Sequence, residues 1–532
     1  MIRLNDDLHE LQVKETHRPV RKGSYIVISG GTAANDFVQA FGKDCAFVLP
    51  VSDDGGSSSE ILRCLGGPSI GDIRSRLIRL IPVPENGVMD LVNDPGSRLD
   101  GIQAVHDLFA QRFPATGTER QVKEMWGDII EGTSDLWTGI PEDRREAMRA
   151  FFVHFNTLIL RRAHKHFSFK NCSLGNVFLA AARDMLGGLP GAIFMFKALS
   201  DSHGTAQVMP VIVTNQRITI AAKLENGRII TGQCEISHPA PESLSSNRTS
   251  RTTSYTNLRK RSDSMSFDTE HTSLDSDTNS ESLSDSSETT TTNEHGSLTH
   301  VDKCAIPGSP WRDPVRLEDL PKVDADILGQ SLRHITRKRI RADPPRAQRE
   351  EAGNALYVKG SQEVPLESRI EKLYYIENAY GHEIFPDPNG EMIKQLHTKE
   401  TLVYSCGSLW TSIIPCLALR GVASTIARSK TLRHKVLLLN FKNDRETDGY
   451  TAIDYINAIS SSLNRYNKPK AGRPGQYPIH RLLTHVVFLE GGKVPVDTGA
   501  LKALGIAVIM VPAQAGTKFT KETVEWALSQ LD

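Results

Sequence analysis

The sequence predicts an α/β fold, a doubly wound and mostly parallel sheet carrying a helical excursion and a long disordered insert. Three observations lead there. Short apolar runs recur along the chain: "YIVIS", "AFVLPVS", "ETLVY", "KVLLLN", "HVVFLE" and "IAVIMVP". Runs of that length without polar alternation fit strands covered on both faces of a parallel sheet. Helical periodicity lies between them, so strands and helices alternate as a doubly wound sheet requires. The composition also breaks sharply once, over residues 241–300.

At 532 residues the chain exceeds one ordinary core, and about two to four domain-sized units would be usual for such a length. Lys+Arg and Asp+Glu both number 63, so the net charge points to no nucleic-acid partner. Aromatic residues make up only 6%, lean enough to imply that part of the chain is unfolded. Seven cysteines form no CxxC pair, which fits reduced thiols better than a disulfide frame or a zinc site. The start "MIRLNDDLHELQVKETHRPVRKG" has no apolar core, and no run approaches the roughly 18 apolar residues of a membrane helix. The expectation is a soluble protein of the cytoplasm, with the nucleus as alternative and no membrane partner. Nothing excludes a homodimer.

Residues 1–22 read as an N-terminal tail. Residues 23–240 and 361–532 read as two parts of one α/β domain. Residues 116–166, rich in charged and helical residues and without strand runs, form the helical excursion. Between the two parts lies a low-complexity and basic insert, 241–360. Over 241–300, Ser and Thr supply 28 of 60 positions with acidic residues among them. Such a segment cannot bury enough apolar surface to offset its ordering entropy. Deleting 242–301 should therefore leave the fold intact. The stretch "RHITRKRIRADPPRAQRE" at 333–350 reads as a solvated linker or surface helix rather than a nuclear-import signal or a patch for an acidic partner.

The corners after the runs carry the chemistry. The first run ends in "SGGTAANDF". Gly30 and Gly31 permit a sharp turn, Thr32 can cap the helix carrying Phe37 and Phe41, and free N–H groups at that helix start would face an anion. This is neither GxGxxG nor a Walker A sequence, so an ordinary βα turn is an equal alternative. The second run ends in "SDDGGSSS". Asp53 and Asp54 sit where a ligand would lie, Gly55 and Gly56 admit close backbone approach, and Ser57, Ser58 and Ser59 add hydroxyls. Adjacent carboxylates repel and need a cation, a hydroxyl-rich substrate or water; a solvated turn is the alternative.

Next comes "GGPSIGDIRSRLIRL". Ser69 and Gly71 precede an amphipathic helix with Ile73, Leu77 and Leu80. Asp72 suits its first turn, while Arg74 could reach a phosphate. "NCSLGN" opens another helix with Ser173, Gly175 and Asn176, and Leu174, Val177, Phe178, Ala181 and Ala182 mark one buried face. "YSCGSLWTSIIP" places Ser405, Gly407, Ser408, Thr411 and Ser412 around a further strand-to-helix turn. Asn440 and the loop 443–446 end the strand after it. Each corner alone could be local capping. Ligands of open parallel sheets bind beyond the carboxyl ends of the strands, and five such corners together read as a phosphate-rich ligand site. His164 and His166, with no third ligand nearby, read as surface or capping residues rather than a metal pair. No GxSxG or supported Cys–His arrangement argues for a covalent nucleophile.

"ISGGTA", "VSDDGGSSSEILR", "PSIGDIRSRLIRL", "SLGNVFLAAAR" and "YSCGSLWTSIIPCL", in that order, resemble the CofD/YvcK family over about residues 26–512. The resemblance implies a Rossmann-like nucleotide-binding fold. Its transferase members, 2-phospho-L-lactate transferases, move a phospholactyl group from a guanosine-diphosphate-linked donor onto a deazaflavin alcohol with magnesium. Its YvcK-like members, the gluconeogenesis factors, bind a uridine-diphosphate sugar and influence carbon metabolism. "DDGGSSS" and "GDIR" look closer to the second branch. The resemblance implies a nucleoside-diphosphate-linked small molecule as partner, with the loop after Asn440 near the nucleotide. Three positions depart from the family pattern. Ala33 replaces a glycine, Cys172 a histidine and Ser75 an asparagine. The insert resembles that of a eukaryotic member, where a deazaflavin pathway is not generally expected.

Two functions follow. In the first, a transferase moves a phospho group from the nucleoside-diphosphate-linked donor to an acceptor hydroxyl. A pyrophosphate lies across residues 30–32 and the 405–412 turn, Asp53 or Asp54 holds Mg2+ or orients the hydroxyl, and Arg74 offsets phosphate charge. Such catalysis is positioning plus electrostatics. In the second, a non-catalytic nucleotide-sugar-binding regulator uses the same pocket and signals through the excursion or the insert, where phosphorylation would add charge.

Overall fold

Every apolar run singled out from the sequence forms a strand. The structure, a computed structural model, describes residues 23–55, 58–83, 98–238, 364–377, 381–467, 475–512 and 516–531. The tail, Gly56, Ser57 and the Ser/Thr-rich and basic stretches lie outside these residues. In chain order the strands are β1 (Tyr25–Ile28), β2 (Cys45–Leu49), β3 (Gln207–Pro210), β4 (Thr219–Leu224), β5 (Ile229–Thr231), β6 (Ile370–Ile376), β7 (Glu383–Ile384), β8 (Thr401–Tyr404), β9 (His434–Leu438), β10 (His485–Leu489) and β11 (Ala507–Val511). Seven of them build one sheet in the order β11-β10-β9-β8-β1-β2-β3. All its pairings are parallel. Ile26, Val27 and Ile28 of β1 and Ala46, Phe47 and Val48 of β2 are fully buried. With both faces covered there is no place for polar alternation, which is why these strands read as continuous apolar runs.

A second sheet is absent from the sequence expectation. β4 to β7 pair antiparallel in the order β5-β4-β6-β7. β4 and β5 are joined through Asn226 and Gly227, the latter at φ +87°. Asn-Gly between two apolar runs is the hairpin signal that would have found them.

Helices α1 (Ser59–Cys64), α2 (Gly71–Arg79) and α3 (Arg98–Ala110) follow β2. After them come α4 (Glu119–Glu131), α5 (Glu142–Arg161), α6 (Leu174–Met185) and α7 (Leu189–Leu199). The excursion is α4 and α5. A Thr118–Gln121 capping box starts α4 and Gly132 ends it in the left-handed region, as capping chemistry prescribes. Its apolar face carries Trp126, stacked on Phe169 at 4.8 Å and meeting Phe152 and Phe155 edge-on. On α6 the expected single buried face is too modest. Every residue from Leu174 to Arg183 is buried, because α2, α3, α5 and α7 all pack against it.

Among the described residues no single helix is long and apolar enough to cross a membrane, and all six cysteines are free thiols.

Candidate functional site

Strand register brings the glycine and serine corners together. Ile28 lies opposite Val48 of β2 and Tyr404 of β8, so the chain leaves three neighbouring strands at one level. The Ser405 N–H donates to the Ile28 carbonyl (3.0 Å) and the Ser29 N–H to the Val48 carbonyl (3.2 Å). At β1 the winding also reverses, with β2 and β3 on one side and β8 to β11 on the other. Such a switch point opens a crevice beyond the strand ends.

The first turn depends on its missing side chains. A Cβ on Gly30 would lie 2.6 Å from Ser412 Oγ, and one on Gly31 would lie 2.6 Å from the Asp72 Cα. The Gly31 N–H donates to the Asp72 carboxylate. Underneath sits Arg76, fully buried. Its guanidinium donates to the Gly30 carbonyl (3.1 Å), the Ser29 hydroxyl (3.2 Å) and the Ala34 carbonyl (3.3 Å), and it lies over the Phe47 ring. Sequence reasoning passed over Arg76, since nothing local separates the inward arginine of "DIRSRLIR" from its neighbours. Thr32 does not cap with its side chain. The short helix Asn35–Phe41 has Ala34 at its N-cap and no side-chain capping bond; Thr32, exposed, offers only its carbonyl to the Asn35 N–H. Ser75 accepts from Asn35 Nδ2 at 3.0 Å.

The two adjacent carboxylates separate. Asp54 turns to the short helix Gln233–Ser237, where it accepts the Cys234 N–H at 3.0 Å and lies 2.5 Å from where a Cβ on Gly232 would be. It is a helix-start acceptor. Asp53 accepts the Gly55 N–H at 3.1 Å. Its other oxygen lies 3.5 Å from where a Cβ on Gly71 would be, and Ser58 Oγ lies 2.7 Å from that same point.

Asp53's electrostatic partner is thus Asp72 more than Asp54. Burial first, then repulsion by Asp72, push the Asp53 carboxyl up to about 8, against the Gly55 N–H. Burial pushes Asp72 up to about 6, opposed by the Gly31 N–H and Arg76. A carboxyl pair that resists double ionisation is a seat for a hard cation. Asp53, Asp54 and Cys234 also approach within 4.8 Å. Burial pushes the Cys234 thiol up, however, and a protonated soft donor does not suit magnesium.

Arg74 and the start of α6 form the other half. A Cβ on Gly175 would lie 2.7 Å from the Phe109 carbonyl and 3.0 Å from the Arg74 side chain, so this glycine serves helix packing. Among the described residues Arg74 Nε is buried without a partner. Burial, then repulsion by Arg112, push Arg74 down to about 10. Arg112, exposed at the edge, donates to the Asn171 carbonyl at 2.8 Å. Ser173 holds the N-cap position of α6 but makes no capping bond, and its Oγ is buried without a partner among the described residues. Asn176 is buried in the first turn. Two cations and a spare hydroxyl at a helix start are anion-binding chemistry. Cys172 contributes no charge, since burial pushes its thiol up to about 12.

The turn after β8 is held from within. Gly407, at φ +123°, leaves room for the Ala33 methyl, which a Cβ would approach to 2.8 Å. Asn440 clamps it, accepting the Gly407 N–H and donating to the Gly407 carbonyl, both at 2.8 Å. Ser408 precedes the helical segment Leu409–Ile413 without capping it. The amides of that segment are already engaged. Glu446, on the loop after β9, accepts the Trp410 N–H (2.9 Å), the Thr411 N–H (3.1 Å) and the Thr411 hydroxyl. The two turns across which the sequence places a pyrophosphate thus hold carboxylates of the chain itself, Asp72 and Glu446. In both turns backbone amides donate to a carboxyl of the chain itself, and burial, then repulsion by Asp444, push the Glu446 carboxyl up to about 8. Ser52, beyond β2, and Ser69, just before α2, each bury an Oγ without a partner among the described residues. A separate cavity of about 430 Å³ beside α3, lined by Gln103, Asp107, Asp135 and Thr138 among others, shares no residue with this cluster.

The family model described as 2-phospho-L-lactate transferase CofD matches residues 25–512. The chain is similar to the uncharacterized protein YNL011C of Saccharomyces cerevisiae, 29% identical over 522 residues, which are 95% of this chain and 98% of that protein. A gluconeogenesis factor of Halalkalibacterium halodurans is 30% identical over 129 residues, 23% of this chain and 38% of that protein. A crystal structure of a UPF0052-family protein from Bacillus halodurans aligns with a TM-score of 0.48 and 16% identity, covering 95% of this chain and 99% of that one.

Proposed function

This chain belongs to the CofD family, and from that premise we propose that its switch-point crevice binds a nucleoside-diphosphate-linked small molecule with a divalent cation. It transfers a phospho group from that donor to an acceptor hydroxyl, similar to 2-phospho-L-lactate transferases. One observation carries the reading: the first turn of α2 holds both Asp72, paired with Asp53, and Arg74, whose buried Nε lacks a partner among the described residues. Hard-cation and anion chemistry therefore meet on one turn.

Arg74, Arg112 and Ser173 would take the phosphate, which the filled turns at Gly31 and Trp410 do not. Asp53 and Asp72 would hold magnesium, whose carboxylate preference fits them. Bound there, it supplies positive charge opposite the phosphate oxygens. The acceptor oxygen forms a new P–O bond as the bond to the nucleoside phosphate breaks, the nucleoside monophosphate leaves and the hydroxyl proton passes to water. Such transfer rests on positioning and charge and needs no covalent residue.

A second reading has its own support. Cys172, buried and uncharged, stands where the family pattern has histidine, which favours a non-catalytic nucleotide-sugar-binding regulator of carbon metabolism. The name of the gluconeogenesis factor relative points the same way.

A thermal-shift screen of uridine and guanosine diphosphate ligands, with and without magnesium, tests both. We expect a magnesium-dependent shift that Arg74→Gln and Asp53→Asn abolish. No shift with any ligand overturns the site, whereas a shift without turnover of any acceptor alcohol selects the regulator.

A further inference from the structure

A cavity of about 800 Å³ lies at the other edge of the large sheet. It sits between the end of the helix Val422–Arg428 and the short helix Ile479–Leu482, which precede the amino ends of β9 and β10. The crevice occupies the carboxyl ends, so the two share no residue. Arg428, Lys430, His480 and Arg481 line this cavity with Tyr477.

Its charge is one-sided. Residues 401–443 and 455–489 contain neither Asp nor Glu, so the three cations have no carboxylate in their own segments. Among the described residues none of the three has an ion pair. The potential reaches inward, since burial and then Arg481 push the buried Lys435 down.

The floor is built rather than incidental. Tyr477 is 8% exposed, and its buried hydroxyl has no hydrogen-bond partner among the described residues. Asn464 fixes its backbone on both sides, accepting the Tyr477 N–H at 2.8 Å and donating to its carbonyl at 3.0 Å. A buried donor without an acceptor costs free energy unless something fills its bond.

We propose that this cavity is a second ligand site, for a small molecule carrying two or more phosphate groups. The volume falls within the range of about 300–1,000 Å³ usual for small-molecule sites. Arg428 and Arg481 offer forked donors suited to phosphate, Lys430 a mobile point charge, and Tyr477 a neutral donor. Among the described residues Ala427 and Pro478 are the only apolar side chains besides Tyr477 in the lining, too few for an apolar guest.

Titration calorimetry with sodium triphosphate in EDTA tests this, on the full chain carrying Arg74→Gln to silence the crevice. We expect one saturable site. Its affinity should fall at least about tenfold when Arg428, Lys430 and Arg481 are all changed to Gln, and fall steeply with added salt. Tyr477→Phe, which keeps the ring, should weaken it about three- to tenfold. Because the three cations are exposed, the triple variant should melt with the parent, which separates lost binding from lost fold. Unchanged affinity in the triple variant overturns the proposal. So does absence of saturable binding, or binding of an oligonucleotide but not of triphosphate.

Discussion

Replacing Asp53 with Asn should stabilise the ligand-free protein and remove its response to magnesium. Asp53 rises from 3.8 to about 8 on folding because burial and Asp72 oppose its charge. A carboxyl raised on folding stabilises fully below its unfolded pKa, and that stability is lost as pH climbs through the folded value. The wild type should therefore weaken between about pH 4 and pH 8. At about 1.36 kcal/mol for each pH unit between those two values, about 5–6 kcal/mol is the upper limit. Asp53 opens partly onto the crevice, where solvent screens it, so about 2–3 kcal/mol is expected near pH 8.5. Asn keeps the acceptor for the Gly55 N–H and loses only the charge.

Chemical denaturation from pH 5 to 9, in EDTA and then in magnesium, measures this. The variant should be more stable than wild type at pH 8.5, with the gap narrowing toward pH 5. A residual slope from Asp72 should remain between about pH 4 and its folded value of about 6. Magnesium should rescue wild type most at high pH, where the pair has shed its protons, and leave the variant unmoved. If the variant is less stable at pH 8.5, or keeps the wild-type slope and magnesium response, the Asp53–Asp72 reasoning fails.

Glu446→Ala should cost about 3–5 kcal/mol by denaturant titration, because two amides and the Thr411 hydroxyl lose their acceptor inside the protein. Glu446→Gln, which keeps acceptor and shape, should cost about 1 kcal/mol or less. Gly31→Ala places a methyl against the Asp72 backbone, which cannot rotate away; it should cost about 1–3 kcal/mol and abolish the nucleotide thermal shift while circular dichroism stays near wild type. Arg76→Met strips three bonds from the Ser29–Ala34 turn and should lower stability by about 3–5 kcal/mol, seen as a clear drop in Tm.

The parts of the fold and site legible in the sequence were local ones. "YIVIS" and "CAFVL" announce buried strands because two covered faces demand unbroken apolar side chains. The corners after them announce tight turns beyond the strand ends, because glycine and serine gather where a chain must turn tightly beside something polar. The β4–β5 hairpin was equally local, signalled by Asn226-Gly227 and passed over. Thr32 was misjudged because propensity favours a hydroxyl at a helix start, yet the turn closes on Ala34 instead.

The sequence by itself determined the strand runs and the helices between them. These depend on interactions within a few residues, and side-chain type there is decisive. The tertiary structure alone decided which carboxylate meets which amide. Asp72 lies 41 positions from Gly31, and Glu446 lies 35 from Thr411. Asp54 is 180 positions from its Cys234 partner. It also placed Arg76 under the turn and left Arg74 Nε and Ser173 Oγ buried without a partner among the described residues. Register and helix packing set those pairings, and the energy of a buried charge depends on every group brought around it, whatever the distance along the chain.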